Sequence, residues 1–182
     1  MEWFKKHKIL TVILVLIILG IAGGASGGSK SGSTNTSTAG TPSTSAAAQV
    51  AKIGEVANDG KFAFTVSSIQ CGKTTVGSSQ YLTKAAQGQF CLLSVSVKNV
   101  GDQAQSLFSA NQKLLNAQNQ EYAADDTATM YQAPSGTSWY SSINPGNSVS
   151  GQIVFDIPKD QPPVKAELHD SAFSGGVVVN LQ

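Results

Sequence analysis

Apolar side chains after residue 49 recur at every second position, and this alternation constrains the fold more than any other feature of the sequence. Residues 62–66, 91–98 and 149–157 each place mostly apolar residues at every second position, with mostly small or polar residues between them. A period of two is the repeat of a β-strand that buries one face. Helical periodicity over ten or more residues is hard to find, so the pattern predicts antiparallel sheets with one buried face.

Turn-forming residues separate these runs. Asn58-Asp59-Gly60 precedes the first run, and Asn144-Pro145-Gly146 precedes the last. The second of these fits a type II turn, because proline presets φ and glycine accepts the positive φ that follows. Gln118-Asn119 could turn a hairpin between residues 113–116 and 121–123. Pro158 ends the run 149–157, because proline cannot donate to a strand ladder.

Further strands are predicted at about residues 52–57, 164–168 and 177–181, and irregular structure followed by a strand at 103–115. Seven or eight short strands favour a sandwich over alternating helices and strands. The sequence therefore predicts an all-β fold for residues 49–182, an antiparallel β-sandwich domain.

Residues 1–25 are predicted to be a signal or anchor segment. Three lysines, Lys5, Lys6 and Lys8, precede the seventeen uncharged residues 9–25. As an apolar helix this run would span about 25 Å, slightly less than the ~30 Å hydrocarbon core, so a retained transmembrane helix and a cleaved signal peptide both remain open. Because the lysines favour a cytoplasmic N-terminus, either alternative places the rest of the chain outside the membrane.

Residues 26–48 are predicted to be a disordered linker, since they are mostly Gly, Ser, Thr and Ala and offer almost no apolar surface to bury. The domain that follows carries eight lysines and ten acidic residues, a net charge of −2, and the chain has no arginine. This composition argues against a nucleic-acid partner, which would require a concentrated basic surface. The predicted location is the cell membrane with an extracytoplasmic domain, or secretion if the N-terminal segment is cleaved.

Cys71 and Cys91 are the only cysteines, and both fall in the exported part. Two thiols in an oxidising compartment favour a disulfide. A catalytic thiol would need a basic partner, and a zinc site would need three or four nitrogen or sulfur ligands. His169 is the only histidine of the domain, so the inventory favours the disulfide and predicts no cofactor.

The position of Cys71 leaves two alternatives for its strand. Cys71 has the opposite parity to Phe64 and the same parity as Ile69. One extra residue at Ser67-Ser68, as in a β-bulge, would turn Ile69 and Cys71 onto the core face. Without a bulge, Cys71 would lie at or beyond the end of the strand.

Three motifs suggest a family: Val97-Lys98-Asn99-Val100-Gly101-Asp102, then Asn144-Pro145-Gly146 with Gly151, and Val154-Phe155-Asp156-Ile157-Pro158. With these motifs the sequence resembles the bacterial domain-of-unknown-function family 4352 over about residues 52–181. The resemblance implies an immunoglobulin-like sandwich, of the kind seen in a small secreted immunogenic antigen. It also implies an exported, membrane-associated protein with no established activity. The chain lacks the lipobox cysteine that many relatives carry, which leaves the mode of anchoring open.

Aromatic residues in the loop-like stretch 130–144 form one candidate site. Tyr131, Trp139 and Tyr140 could make a binding platform for a sugar, a peptide or a partner surface. The alternative is that Trp139 and Tyr131 fold back and cap an open end of the sandwich.

Two other clusters are weaker candidates. Glu121, Asp125 and Asp126 supply hard oxygen ligands for Ca²⁺, but they lack the D-x-D-x-D-G spacing, so a solvated acidic turn is the alternative. His169 follows a predicted strand, and no nucleophile lies near it in the sequence. It is therefore interpreted as a surface histidine.

The sequence predicts a non-enzymatic, membrane-tethered binding module whose partner is an envelope protein, a cell-wall glycan or a host surface. A structural or stress-related envelope component without a tight ligand is the first alternative. An envelope hydrolase with an unrecognised site is the second.

Overall fold

Two β-sheets pack face to face in the computed structural model, which describes residues 50–133 and 139–182. The described residues contain nine strands, a short α-helix and a 3-10 turn at Ser109–Asn111. In chain order the elements are β1 Ala51–Lys52, β2 Val56–Asp59, β3 Phe62–Ser79, β4 Leu82–Asn99, β5 Lys113–Asn116, β6 Glu121–Ala123, α1 Asp126–Gln132, β7 Ser148–Ile157, β8 Pro163–Leu168 and β9 Val177–Asn180. The predicted apolar segment and the predicted linker lie outside the described residues.

One sheet has the strand order β1-β9-β8-β5-β6 and the other has the order β2-β3-β4-β7. Neighbouring strands are antiparallel, except that β1 runs parallel to β9. The predicted β-sandwich is therefore confirmed.

The single strand predicted at residues 52–57 is wrong, because the chain changes sheets within it. Gly54 adopts φ +87° and donates its backbone N–H to the Val66 carbonyl at 2.8 Å. A positive φ costs glycine little, so the chain can turn here. As a result β1 joins one sheet and β2 joins the other.

The alternating residues meet in one core between the sheets. The ring centroids of Phe62 and Phe64 lie 6.0 Å apart in an edge-to-face arrangement. Burying each such side chain contributes roughly 1.5–3 kcal/mol. Other buried members are Val66, Cys91, Leu93, Val95, Val97, Leu114, Ile153, Phe155, Ile157, Ala166, Leu168 and Val179. The residues of the predicted inner faces are thus core residues, except Val149 and Gly151, which are only partly buried.

Of the two alternatives for this strand, the one with a β-bulge near Ser67-Ser68 is present. Val66 pairs with Val95, and Ser68 pairs with Ser94, the residue next to Val95. Two steps along β3 therefore match one step along β4, so Ser67 is the extra residue. After the bulge Ile69 packs against the core, as expected. Strands β3 and β4 are 18 residues each, longer than the sequence suggested.

The predicted disulfide between Cys71 and Cys91 is confirmed. Cys91 is fully buried, whereas Cys71 belongs to an exposed part of β3. The bulge was expected to turn Cys71 onto the core face, but Cys71 is exposed. The bond joins the two strands where the long hairpin leaves the sandwich.

Helix α1 occupies residues that were expected to be an acidic turn and a loop. Asp125 caps it, because its side chain accepts a hydrogen bond from Ala128 N at 2.9 Å. The helix packs on the outer face of the four-stranded sheet, in a second cluster of Val76, Phe90, Leu92, Ala128 and Val154. At seven residues it is too short to show a periodic pattern.

Both tight turns follow the expected chemistry. Gly146 has φ +80°, and Asn147 N donates to the Asn144 carbonyl at 3.0 Å, as a type II turn requires. Asn119 has φ +58° and turns the β5–β6 hairpin.

Among the residues described, no helix is both long and apolar enough to cross a membrane.

Removing the disulfide is expected to destabilise the domain. The bond closes a loop between residues separated by 20 positions, and its loss costs about 3 kcal/mol in the chain-entropy model. Urea unfolding of the double variant Cys71→Ala/Cys91→Ala measures this loss. A reductant should weaken the wild type by a similar amount and leave the double variant unchanged. An equal response of both proteins would contradict the prediction.

Candidate functional site

Trp139 belongs to the core and not to a binding platform. Its side chain is 2% exposed, and its Nε1 donates to the Gln152 carbonyl at 3.2 Å. Trp139 therefore folds back onto the sandwich, which is the second of the two alternatives given for the aromatic residues. The hydrogen bond also occupies a carbonyl of β7, which is an edge strand of its sheet.

Tyr140 is 42% exposed, and its hydroxyl lies 3.2 Å from Ser109 Oγ. Ser109 is fully buried, and its hydroxyl donates to Asp126 Oδ1 at 2.5 Å. The polar contacts therefore fix the position of Tyr140 at the surface. Tyr131 lies on α1 and is partly buried.

Phe108 and Met130 are two further exposed apolar residues on the segments that meet at this polar contact. Phe108 precedes Ser109, and Met130 lies one helical turn after Asp126; they are 52% and 56% exposed. We call Phe108, Met130 and Tyr140 the aromatic–methionine patch. Of these three residues the sequence predicts only Tyr140 as a site residue. Met130 lies in the same stretch but is not aromatic, and Phe108 is far away in the sequence and comes near only because Ser109 bonds to Asp126 and Tyr140.

Burial raises the pKa of Tyr140 above its ordinary value of 10.0, and the nearby charge of Asp126 acts in the same direction. The neutral phenol is therefore the stable form in the folded protein. The patch presents an uncharged surface at physiological pH.

The three acidic residues of the calcium candidate have separate partners. Glu121 pairs with Lys113 at 2.8 Å, Asp125 caps α1 and pairs with Lys84, and Asp126 accepts from Ser109. Within residues 50–133 and 139–182 no group of three or more possible metal ligands is assembled. The pKa of Lys113 is raised above its ordinary value, chiefly because its ammonium group donates a hydrogen bond to the Glu121 carboxylate.

The interpretation of His169 as a surface histidine is wrong. Its residue exposure is 9%, its Nε2 lies 2.7 Å from Glu167 Oε1, and its Nδ1 lies 3.2 Å from Ser174 Oγ. Its backbone is held by Gln112, whose amide accepts from His169 N at 2.8 Å and donates to His169 O at 3.0 Å. Sequence spacing could not reveal this, because Gln112 is 57 residues away.

The carboxylate, imidazole and hydroxyl of this group resemble the components of a hydrolase, but the packing gives them a structural role. Ser174 has one hydroxyl proton, and the Ser171 carbonyl competes for it at 3.1 Å. A Cβ on Gly176 would lie 2.5 Å from His169 Cε1, so the chain passes directly over the ring. The group joins the end of β8 to the start of β5.

The motif residue Asn99 is a buried connector. Its Nδ2 donates to the Gln103 and Ile143 carbonyls, both at 2.7 Å, and its Oδ1 accepts from Gly101 N at 2.8 Å. Its carbonyl accepts from Gly146 N at 2.9 Å. The motifs around Asn99 and the Asn144 turn thus hold two chain segments together, which is a structural role.

The family model described as "Domain of unknown function (DUF4352)" matches residues 51–178. No curated protein sequence matches this chain.

Solved structures with the same fold come from several bacteria. The yjhA protein from Bacillus subtilis is 16% identical with a TM-score of 0.53, covering 73% of this chain and 100% of its own. A secreted protein from Mycobacterium tuberculosis, MPT63, is 14% identical with a TM-score of 0.53, covering 75% and 99%. A conserved hypothetical protein from Bacillus anthracis is 16% identical with a TM-score of 0.51, covering 70% and 94%. These likenesses establish the fold.

Truncating Trp139 is expected to destabilise the fold strongly. Trp139→Ala leaves a cavity in the core, and its cost in the free energy of unfolding is about 3–5 kcal/mol. Thermal and urea unfolding measure it. Phe173→Ala is the control, because Phe173 is 99% exposed and its removal should change stability by less than about 0.5 kcal/mol. Equal stability of the two variants would contradict the core assignment.

The raised pKa of Tyr140 predicts a late component in the tyrosinate absorbance titration. The folded protein holds this proton above pH 10.0 while the unfolded chain releases it, so stability falls as pH rises through that window. Tyr140→Phe should remove the late component and that part of the loss. Tyr81→Phe, which removes an 85% exposed ring, should keep both. A late component that survives in Tyr140→Phe would refute the assignment.

Proposed function

Because this chain belongs to the DUF4352 family, whose description assigns no function, we propose a role from its surface: an exported, non-enzymatic, immunoglobulin-like interaction module. In this proposal residues 1–25 hold the chain at the membrane and residues 26–48 space the domain from it. The aromatic–methionine patch binds a protein partner of the cell envelope.

Three observations support export. The lysines before the apolar run favour a cytoplasmic N-terminus and an exported domain. The Cys71–Cys91 disulfide suits an oxidising compartment. MPT63, which shares the fold, is described as a secreted protein.

The aromatic–methionine patch is the observation that carries the binding role. Aromatic residues and methionine are enriched in protein interfaces, and tyrosine is frequent among the residues that dominate binding energy. Met130 offers a flexible, polarizable side chain that can adapt to a partner. Tyr140 is held in place through Ser109, so less side-chain freedom is lost when a partner covers it.

The patch favours a binding module over the two alternatives. A structural component without a tight ligand would have no need of three exposed apolar side chains near the hydrogen bond between Ser109 and Tyr140. A hydrolase would need an available nucleophile, whereas the Ser174 hydroxyl bonds to His169 and to the Ser171 carbonyl within the β8–β9 connection.

Site-specific photocrosslinking in intact cells tests the proposal with the full chain. A photoreactive amino acid at position 130 should give a discrete crosslinked protein species. The same group at position 173 is the control, because Phe173 is fully exposed and outside the patch. With the captured partner purified, the variant Phe108→Ser should bind it roughly tenfold more weakly than the wild type.

Two results would overturn the binding role. One is the absence of any discrete crosslink at position 130. The other is an identical set of crosslinks at positions 130 and 173, which would indicate random collision. A captured partner whose affinity is unchanged by Phe108→Ser would also remove the patch from the proposal.

A further inference from the structure

A cleft of about 490 Å³ lies between the β5–β6 turn and the β7–β8 connection. Half of its lining residues are glutamines, among them Gln118, Gln120 and Gln161, and Asp160 and Val164 also line it. The cleft is at the opposite end of the β5–β6 hairpin from the aromatic–methionine patch. None of the predicted site residues lines it.

Asn116 organises this cleft from beneath. Its side chain is 1% exposed, and its Oδ1 accepts hydrogen bonds from the backbone N–H groups of Gln118 at 3.0 Å and Gln120 at 2.9 Å. Backbone N–H groups can only donate, so this atom must be the oxygen of the amide. The other terminal atom is therefore nitrogen and a donor.

The orientation of two glutamine side chains follows from this assignment. Asn116 Nδ2 contacts Gln120 Oε1 at 2.7 Å and Gln161 Oε1 at 2.8 Å, and it lies 3.1 Å from the Tyr122 hydroxyl. Because Nδ2 donates, both glutamines must turn their oxygens toward it. Each glutamine then presents its Nε2 amino group away from Asn116, and neither Nε2 has a hydrogen-bond partner among the described residues.

We propose that this cleft binds a neutral glycan. The Nε2 groups of Gln120 and Gln161 donate to hydroxyl or acetamido oxygens of the sugar. The carboxylate of Asp160 accepts from sugar hydroxyl groups, and Val164 contacts an apolar face of the ring. The buried Asn116 already holds both donors in place in the free protein, which reduces the entropy lost on binding.

The lining distinguishes a glycan from other ligands. Among its lining residues the cleft has no cation, and Asp160 would repel an anionic ligand. The lining also has no aromatic side chain to anchor a peptide side chain. Two fixed amide donors beside the Asp160 carboxylate instead match a ligand that carries many uncharged oxygens and hydroxyl groups.

This inference goes beyond the proposed protein-binding role and uses none of the residues of the aromatic–methionine patch. A failure of either proposal leaves the other intact. The two sites require separate experiments.

Side-chain amide signals provide a direct test. The full chain, labelled with ¹⁵N and kept in a detergent without a sugar headgroup, is titrated with chitotetraose, a neutral oligosaccharide of N-acetylglucosamine. The Nε2 signals of Gln120 and Gln161 should shift in a saturable way. Gln161→Glu keeps the oxygen that Asn116 holds but replaces the presented donor, and should weaken binding by about tenfold.

Gln70→Glu is the matched control, since it makes the same charge change at an exposed position of β3 outside the cleft, and its affinity should equal that of the wild type. Both variants are first shown to retain the wild-type melting temperature; if Gln161→Glu does not, Asp160→Asn replaces it. A capped tetraglycine peptide forms the second arm. Absence of shifts with chitotetraose at its highest soluble concentration, shifts confined to other residues, or stronger binding of the peptide would each overturn the proposal.

Discussion

The fold is built around strand β4, because it pairs on both sides and is covered on both faces at its centre. It lies between β3 and β7, and residues 90–93 are all fully buried. Cys91 and Leu93 face the core between the sheets, while Phe90 and Leu92 lie under α1. Residues 90–93 are therefore a continuous apolar run, as is usual where both faces are covered, whereas residues 94–98 of the same strand alternate. The helix, the disulfide and the Asn99 connector all attach to this strand.

The two proposed binding surfaces share one physical device, a buried polar side chain that orients exposed ones. Ser109 positions Tyr140 from beneath the aromatic–methionine patch. Asn116 positions Gln120 and Gln161 beneath the cleft. Buried polar groups must be hydrogen-bonded, and here the bonds that satisfy them also immobilise side chains at the surface. The turn of the β5–β6 hairpin lines the cleft, whereas the aromatic–methionine patch lies on segments that precede and follow the hairpin.

The features predicted correctly from the sequence depend on interactions between near neighbours. The alternation of Phe62 and Phe64, the turn at Gly146 and the β5–β6 hairpin each follow from local conformational rules. The features predicted wrongly depend on distant partners. His169 is buried through Gln112 and Glu167, and α1 is stabilised by the outer face of a sheet that the sequence does not show. The two alternatives for Trp139 have the same cause, since its partner Gln152 lies on a strand outside its own segment.

By itself, the sequence determined that this chain forms strands, where they turn, which of their faces is buried and that its two cysteines can pair. These properties follow from side-chain period, from φ preferences at glycine, asparagine and proline, and from composition. Only the tertiary structure decided which sheet each strand joins, that Trp139 is core and Tyr140 is surface, and that Asn116 turns two glutamine donors outward. Those outcomes depend on contacts between residues far apart in the chain, and a pattern of neighbours carries no information about them.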